Sequence, residues 1–264
     1  MTTSPLSQEA IHEAVQKQYG ALARHYGQQK EEAGESCCAP TCCSDAVAQN
    51  SPDYSREEIA AVPPGAFLGA GSGNPVRHAG LQPGETVIDL GSGAGMDSFL
   101  AANAVGPTGR VRGFDLTADM LARARANAAG GYGHVSFDRA DIERLPIADS
   151  AADAAISNCV INLAPDKAAV YREIFRALRP GGRLSVADIV LRGPAEALHA
   201  FRSAVHKDNW CGCVSGALDE QGYLGAIRAA GFADVRIVAE RPAELQPGGA
   251  LQAVAVTITG RKPA

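Results

Sequence analysis

The chain has 264 residues, of which 46% are hydrophobic and 20% charged, enough for one large domain or two small ones with a sizeable core. Its net charge of −5 argues against nucleic-acid binding, which normally needs a basic face. No apolar run approaches the roughly 20 residues that span a bilayer, and the N-terminus lacks the basic and apolar segments of a signal peptide. We therefore predict a cytoplasmic protein that binds neither nucleic acid nor membrane.

The N-terminal residues 1–50 divide into a predicted helix and a cysteine-rich loop. Over residues 5–29, apolar side chains recur every three or four positions, which predicts an amphipathic helix that packs on the main domain as a lid or brace. Residues 31–50 lack apolar periodicity and predict a mobile loop.

Seven cysteines are more than packing requires, and an odd number excludes complete internal pairing. Four of them lie in polar surroundings within the predicted loop, namely Cys37, Cys38, Cys42 and Cys43. Adjacent cysteines match the spacing of zinc knots poorly, which favours a loop that captures a thiophilic ion over a structural zinc site.

Residues 54–78 predict irregular structure after a short helix that ends at the double proline of positions 63 and 64. Glycines at positions 69, 71 and 73 indicate backbone packed closely against a ligand or another segment. A flexible linker is the alternative.

From residue 85 onward, predicted strands alternate with predicted helices, which indicates a parallel sheet with right-handed crossovers. The strands cover 86–90, 110–115, 134–138, 153–158 and 183–190, and the helices cover 96–105, 117–129, 167–178 and 219–230. A turn over 178–182 precedes the fifth strand, and strands over 233–240 and 251–260 form an antiparallel closing pair. The fold class is therefore α/β, with a mostly parallel seven-stranded sheet and helices on both faces.

The segment 87–95 predicts a buried strand that runs into a glycine-rich turn, followed by a helix. Asp89, Asp115 and Asp141 stand at the ends of three successive strands, where doubly wound sheets bind ligands. Asp115 can accept hydrogen bonds from ribose hydroxyls, and Asp141 from an adenine amine, with Ile142 over the ring. The alternatives are that Asp115 caps the following helix and that Asp141 lies in a turn.

The turn has the pattern Gly-x-Gly-x-Gly, whereas dinucleotide sites use Gly-x-Gly-x-x-Gly/Ala. Asp97 would stand near a pyrophosphate, which its charge disfavours. A ligand with a sulfonium cation and an amino-acid tail fits better, since Asp89 can hold the ammonium and the turn amides can hold the carboxylate.

The sequence resembles a known superfamily and, within it, one particular family. Segments 89–95 and 113–115 resemble the signature of class I S-adenosylmethionine-dependent methyltransferases. Within that superfamily, residues 156–167 (ISNCVINLAPDK) are similar to the most specific motif of arsenite methyltransferases, and residues 212–218 (GCVSGAL) to their second cysteine motif. The resemblance covers residues 7–260 and implies a Rossmann-like class I methyltransferase fold.

The resemblance implies that S-adenosylmethionine binds a core formed by residues 51–190, and that residues 191–264 hold the arsenic-binding loop region and the strands that complete the sheet. The expected cofactor-binding residues are Asp89, Gly91, Ser92, Gly93, Asp115, Leu116, Asp141, Ile142 and Asn158. Asn158 and Asn162 are expected to fix either the cofactor or the loop through amide hydrogen bonds.

The resemblance also implies that Cys159 and Cys213 are the catalytic thiolates, which hold trivalent arsenic beside the methyl group. Trivalent arsenic is soft and binds two or three sulfurs in a pyramid, which leaves a lone pair to attack the methyl group in line. No proton has to leave, so the reaction needs no general base. A buried core cysteine is the alternative for Cys159, and Cys211 is either a substitute ligand or a bystander.

Two thiols of the fuller family pattern are absent, because Ala70 and Ser98 stand where relatives often have cysteine. We therefore expect a two-thiolate site that accepts methylarsenite at least as well as arsenite. A third sulfur would come from the cluster over 37–43 or from glutathione. Glutathione, another thiol or thioredoxin would be the reductant, and we expect a monomer.

Two other functions fit parts of the sequence. A methyltransferase for a small organic acceptor, such as a quinone precursor, would need a general base near the methyl group. A protein that sequesters a soft metal or metalloid would bind it through the N-terminal cysteines without consuming the methyl donor. The intact acids and glycines of the predicted cofactor site argue against sequestration, and the resemblance implies a methyltransferase that detoxifies arsenic.

Overall fold

The computed structural model describes residues 7–28, 53–204, 214–243 and 249–264. Their strands are β1 Thr86–Leu90, β2 Arg110–Asp115, β3 Val135–Arg139, β4 Ala152–Asn158, β5 Leu178–Arg192, β6 Ala233–Ala243 and β7 Gln252–Arg261. These form a seven-stranded sheet with the order β3-β2-β1-β4-β5-β7-β6. The first five strands run parallel to one another, and β7 lies antiparallel between β5 and β6. The predicted parallel sheet with its antiparallel closing pair is confirmed.

Helices cover both faces of the sheet, also as predicted. They are α1 Gln8–Gln28, α2 Arg56–Ala60, α3 Pro75–His78, α4 Met96–Val105, α5 Ala118–Ala128, α6 Lys167–Ala177, α7 Ala195–Ala204 and α8 Glu220–Ala229. Because side chains alternate along β1, Ile88 packs with α6 and α8 on one face, whereas Val87 packs with α4 on the other. Among the described residues, no helix combines the length and apolar character that crossing a bilayer requires.

Helix α1 packs along α5, and its apolar face is turned toward the protein. Ile11 is fully buried, and Tyr19 and Leu22 contact the cluster that includes Leu68 and Met120. Polar contacts close the edges of this interface, since the Arg123 guanidinium donates to the Ala23 carbonyl at 2.8 Å. The amphipathic pattern over residues 5–29 therefore matches a helix that is packed on the rest of the chain.

Two segments differ from the predicted pattern. The turn predicted over 178–182 lies within β5, because Leu178 pairs with Ala152 and Arg183 pairs with Ala154. The residues between them form a bulge, and Gly181 takes a φ of +75° there. Residues 54–78 are not wholly irregular after their first helix, because Asn74 accepts a hydrogen bond from the Arg77 amide and so caps the short helix α3.

Candidate active site

A cavity lies at the carboxyl ends of β1, β2 and β4. The chain order reverses between β1 and β4, which is the position where open α/β sheets bind ligands. Cys159 lines this cavity together with every residue predicted to bind the cofactor. The latter are Asp89, Gly91, Ser92, Gly93, Asp115, Leu116, Asp141, Ile142 and Asn158. The structure thus brings these residues together, and their individual roles in binding stay predictions.

The glycine-rich turn needs glycine for two separate reasons. Gly91 has a φ of +72°, and a Cβ atom there would lie 2.4 Å from Cβ of Val160, so only glycine allows the turn to approach the residue after Cys159. Gly93 has a φ of +52°, and no protein atom lies within 4 Å of a Cβ built on it. Since Gly93 lines the cavity, a side chain there would occupy space that the protein leaves to a ligand.

Asp115 and Asp141, at the ends of β2 and β3, both form hydrogen bonds with nearby backbone amides. Such local bonds were the alternatives to ligand binding for these two acids. The Asp115 carboxylate accepts from the Thr117 amide at 2.8 Å and from the Gly93 amide at 2.9 Å. Asp141 accepts from the Glu143 amide at 2.9 Å, so it does lie in a turn. Each carboxylate oxygen has a second lone pair, and both side chains still face the cavity. Local capping and ligand binding are therefore compatible.

Asp141 also faces helix α1, where His12 Nε2 lies 3.7 Å from its carboxylate. His12, Val15 and Tyr19 line the cavity beside it. Helix α1 therefore forms one wall of the cavity in addition to packing on α5.

A buried network beside the turn was not predicted. Tyr54 Oη donates to Asp97 at 2.8 Å, and the Asn158 carboxamide donates to Asp97 at 3.0 Å and to the Gly73 carbonyl at 2.8 Å. The Asn158 oxygen accepts from the Ser72 amide at 2.9 Å. Of the two roles expected for Asn158, the structure shows the fixing of a loop.

The same network explains the glycines of the preceding loop. A Cβ atom on Gly71 would lie 2.9 Å from Asn158 Nδ2, and one on Gly73 would lie 2.7 Å from Cβ of Ala187. The backbone here is packed closely against the ends of β4 and β5. The prediction of close packing is correct, and the flexible-linker alternative is wrong.

Two buried carboxyls give the cavity its electrostatic character. Burial raises the pKa of Asp89 to about 8, and the charge of Asp97 adds to the effect. Burial also raises the pKa of Asp97 to about 6, opposed by the hydrogen bonds from Asn158 and Tyr54. A cationic group in the cavity would favour the ionised form of both acids. The ammonium and sulfonium groups of S-adenosylmethionine fit this environment. The amides of Gly91 and Ser92 donate to the Phe114 carbonyl and that of Gly93 donates to Asp115, so the predicted binding of the cofactor carboxylate by the turn amides is not supported at these positions.

Cys159 follows β4 directly and adopts a left-handed backbone with φ of +60°. Its amide donates to the Ala187 carbonyl at 2.8 Å, and the residue is 9% exposed. Left-handed backbone is uncommon for residues other than glycine and is concentrated at functional sites. Cys159 is disulfide-bonded in this structure. Cys159 is mostly buried and lies on the cavity wall, and its role in arsenic binding stays a prediction.

The two positions that lack the expected cysteine differ in their surroundings. Ala70 is exposed and lines the cavity. Ser98 is fully buried, and its hydroxyl donates to Asp89 at 2.6 Å. Only Ala70 therefore offers a side chain directly to the cavity. The remaining predicted thiols, Cys37, Cys38, Cys42, Cys43, Cys211 and Cys213, lie outside the described residues.

The fold and the cavity define an S-adenosylmethionine-dependent methyltransferase, and the family model described as "Methyltransferase domain" matches residues 81–231. Over 97% of its length, the chain is 38% identical to an arsenite methyltransferase of Halobacterium salinarum and covers 68% of that protein. An arsenite methyltransferase of Aquipseudomonas alcaligenes is 34% identical over 88% of the chain, which covers 65% of it. The chain thus spans about two thirds of the length of these curated relatives.

Among solved structures, an arsenic(III) S-adenosylmethionine methyltransferase from Chlamydomonas reinhardtii is 31% identical, with a TM-score of 0.62. The match covers 86% of this chain and 75% of that one. The chain therefore belongs to the arsenite methyltransferase family.

Proposed function

We propose that the protein transfers the methyl group of S-adenosylmethionine to trivalent arsenic held by the thiolates of Cys159 and Cys213, and thereby detoxifies arsenite or methylarsenite. The observation that carries the proposal is the position of Cys159 on the wall of the cavity that contains the glycine-rich turn and Asp115. A soft thiolate at that position can hold a thiophilic substrate beside the cofactor. S-adenosylmethionine, when bound, supplies an electrophilic methyl group.

The chain's own contribution is orientation and exclusion of water. Close packing of Gly91 against Val160 joins the cofactor turn to the arsenic-binding turn, so the two partners are held in one rigid unit. Helix α1 and the apolar side chains of Met96, Val160 and Leu163 line the cavity and limit solvent access. No proton leaves arsenic in the reaction, so these side chains need not include a general base.

The disulfide at Cys159 supports a requirement for a reductant. Arsenic binds thiolates, so the disulfide has to accept two electrons and two protons before Cys159 can bind arsenic. We propose that glutathione, another small thiol or thioredoxin supplies them and is itself oxidised to a disulfide. We also propose that the enzyme acts as a monomer in the cytoplasm, with residues 1–50 as a separate N-terminal segment, 51–190 as the cofactor-binding core and 191–264 as the arsenic-binding loop region with the closing strands.

The direct test of the function is to incubate the reduced protein with methyl-labelled S-adenosylmethionine, glutathione and arsenite, and to identify the labelled products. We expect methylated arsenicals and one S-adenosylhomocysteine for each methyl group transferred. Label in an organic acceptor would favour a methyltransferase of small organic molecules. Arsenic binding without consumption of the donor would favour sequestration.

A third sulfur for arsenic is proposed to come from Cys37, Cys38, Cys42 or Cys43, or from glutathione. A variant with serine at all four positions is expected to methylate arsenite about tenfold more slowly at low glutathione and to recover as glutathione is raised, because the free thiol then replaces the tethered one. Rates measured across a glutathione titration check this result. Wild-type rates at every glutathione concentration would remove the N-terminal cluster from the mechanism.

The two missing cysteines give a matched pair of substitutions. Ala70→Cys is expected to raise arsenite affinity about tenfold, because it places a thiol directly in the cavity at a high effective concentration. Ser98→Cys should give no gain, since that side chain is fully buried against Asp89. Equilibrium dialysis of arsenite against both reduced proteins measures the difference. An equal gain in both variants, or none in Ala70→Cys, would contradict the assignment of the cavity.

A further inference from the structure

A buried polar cluster lies beneath the connection between β4 and α6, the segment that begins with Cys159. Its centre is Asp188 of β5, which is fully buried. One carboxylate oxygen of Asp188 accepts from the Asn162 amide at 3.0 Å and from Tyr223 Oη at 3.0 Å. The other oxygen accepts from the Ile189 amide at 2.9 Å. Asp188 does not line the cavity, so direct contact with a ligand does not explain it.

Three consecutive residues of β5 hold the segment after β4. The Cys159 amide donates to the Ala187 carbonyl at 2.8 Å, and the Asn162 amide donates to Asp188. The Asn162 side chain then donates to the Ile189 carbonyl at 2.7 Å. These bonds fix both ends of the turn from Cys159 to Asn162, which contains the left-handed residue Cys159. Such a turn persists only where its surroundings determine it.

A buried carboxylate is a costly way to hold a turn. Burial raises the pKa of Asp188 to about 7, and the hydrogen bonds and the ammonium of Lys167 oppose this effect. Lys167 is itself buried and donates to the Ala164 carbonyl at 3.1 Å, at the other end of the same connection. Well-packed apolar residues usually stabilise a core at least as well as a buried polar cluster does. The cluster is therefore better explained by precise placement of the turn than by stability alone.

We infer that Asp188 is a positioning residue for the reaction, which sets the direction of the Cys159 thiolate through the Asn162 amide. The inference rests on the proposed role of Cys159 in arsenic binding. Arsenic geometry requires the sulfurs to be correctly directed at the same time, so a small rotation of the turn should weaken arsenic binding while the cofactor side of the cavity is kept.

The test compares two variants that remove hydrogen bonds from the same carboxylate. Asp188→Asn cannot accept at both positions and releases the Asn162 amide or the Ile189 amide. Tyr223→Phe removes a hydrogen bond to the same oxygen without touching the turn. After reduction, arsenite affinity is measured by equilibrium dialysis, S-adenosylmethionine affinity by calorimetry and the alkylation rate of Cys159 by peptide mass spectrometry.

We expect Asp188→Asn to weaken arsenite binding about tenfold and to change the Cys159 alkylation rate, with S-adenosylmethionine affinity within about twofold of wild type. Tyr223→Phe should keep all three values within about twofold while losing thermal stability. Unchanged arsenite affinity in Asp188→Asn, or an equal loss in Tyr223→Phe, would overturn the inference.

Two further measurements distinguish a failure of the positioning role from misfolding and from a failure of the proposed function. If Asp188→Asn does not fold, Asn162→Ala removes the side-chain bond to the Ile189 carbonyl and should weaken arsenite binding in the same direction; an unchanged affinity would then overturn the inference. If wild-type protein does not methylate arsenic, the proposed function fails, whereas the alkylation rate of Cys159 still tests positioning by Asp188.

Discussion

Replacement of Cys159 by serine is expected to lower the rate of arsenic methylation by at least about a thousandfold, while S-adenosylmethionine affinity stays within about twofold of wild type. The physical reason is that a hydroxyl is a hard, protonated donor that cannot replace a thiolate as a ligand for soft trivalent arsenic. Serine has nearly the same size, so the turn after β4 and the hydrogen bond to the Ala187 carbonyl should persist. Steady-state rates with arsenite and with methylarsenite, together with calorimetric titration of the cofactor, check both parts.

Cys211→Ser is the control for the loss of any one thiol, and it should keep most of the activity if Cys211 is a bystander. Thermal unfolding of the three proteins shows whether folding is unchanged. Retention of full activity by Cys159→Ser would reject arsenic binding by this residue, and a similar loss in Cys211→Ser would make that cysteine a ligand as well.

Substitution of Gly93 by alanine is expected to weaken S-adenosylmethionine binding about thirtyfold, because the new methyl group would occupy ligand space and displace a tightly fitted molecule. No protein atom lies within 4 Å of the added Cβ, so the folded protein itself accommodates it. Only backbone strain remains, since the residue has a φ of +52°, and this costs about 1 kcal/mol of stability. Calorimetric titration measures the affinity, and thermal unfolding measures the strain.

Gly106→Ala is a control for backbone strain away from the cavity. Gly106 has a φ of +68°, and a Cβ atom there also meets no protein atom within 4 Å. It lies at the end of α4 and does not line the cavity. Gly106 also has a ψ of −176°, which alanine adopts poorly, so Gly106→Ala should lose at least as much stability as Gly93→Ala, whereas only Gly93→Ala should lose affinity. Equal affinity in both variants would show that the turn does not contact the cofactor.

The sequence could predict the elements that position the site where the patterns for strand, turn and helix follow one another along the chain. β1, the glycine-rich turn and α4 follow one another within residues 86–105, so hydrophobicity and glycine spacing suffice to place Asp89 and the turn. Asp115 could be placed in the same way, because it ends the next short strand along the chain. The sequence could predict that Asp115 and Asp141 form hydrogen bonds with nearby backbone amides. It could not predict that both carboxylates also face an open cavity, because that depends on how three strands pack.

Contacts between distant segments could not be predicted in this way. Tyr54 and Asn158 meet Asp97 from 43 and 61 residues away, and neither lies in a periodic pattern that marks the contact. The residues on either side of Asp188 in β5 are apolar. The sequence around a single acid in such a strand does not indicate which residues will form hydrogen bonds with it. The bulge at residues 178–182 has the local signature of a turn, and only pairing with β4 and the closing strands makes it part of β5.

A single-turnover experiment shows whether arsenic bound to the protein's thiolates is the methyl acceptor. Reduced protein is loaded with arsenite, freed of unbound arsenic by gel filtration and mixed with methyl-labelled S-adenosylmethionine in the absence of free thiol. We predict that the bound arsenic gains one labelled methyl group for each S-adenosylhomocysteine formed, and that Cys159→Ser shows no transfer. Arsenic that stays bound but unmethylated in the wild type, with the cofactor unconsumed, would show that thiolate-bound arsenic is not the methyl acceptor.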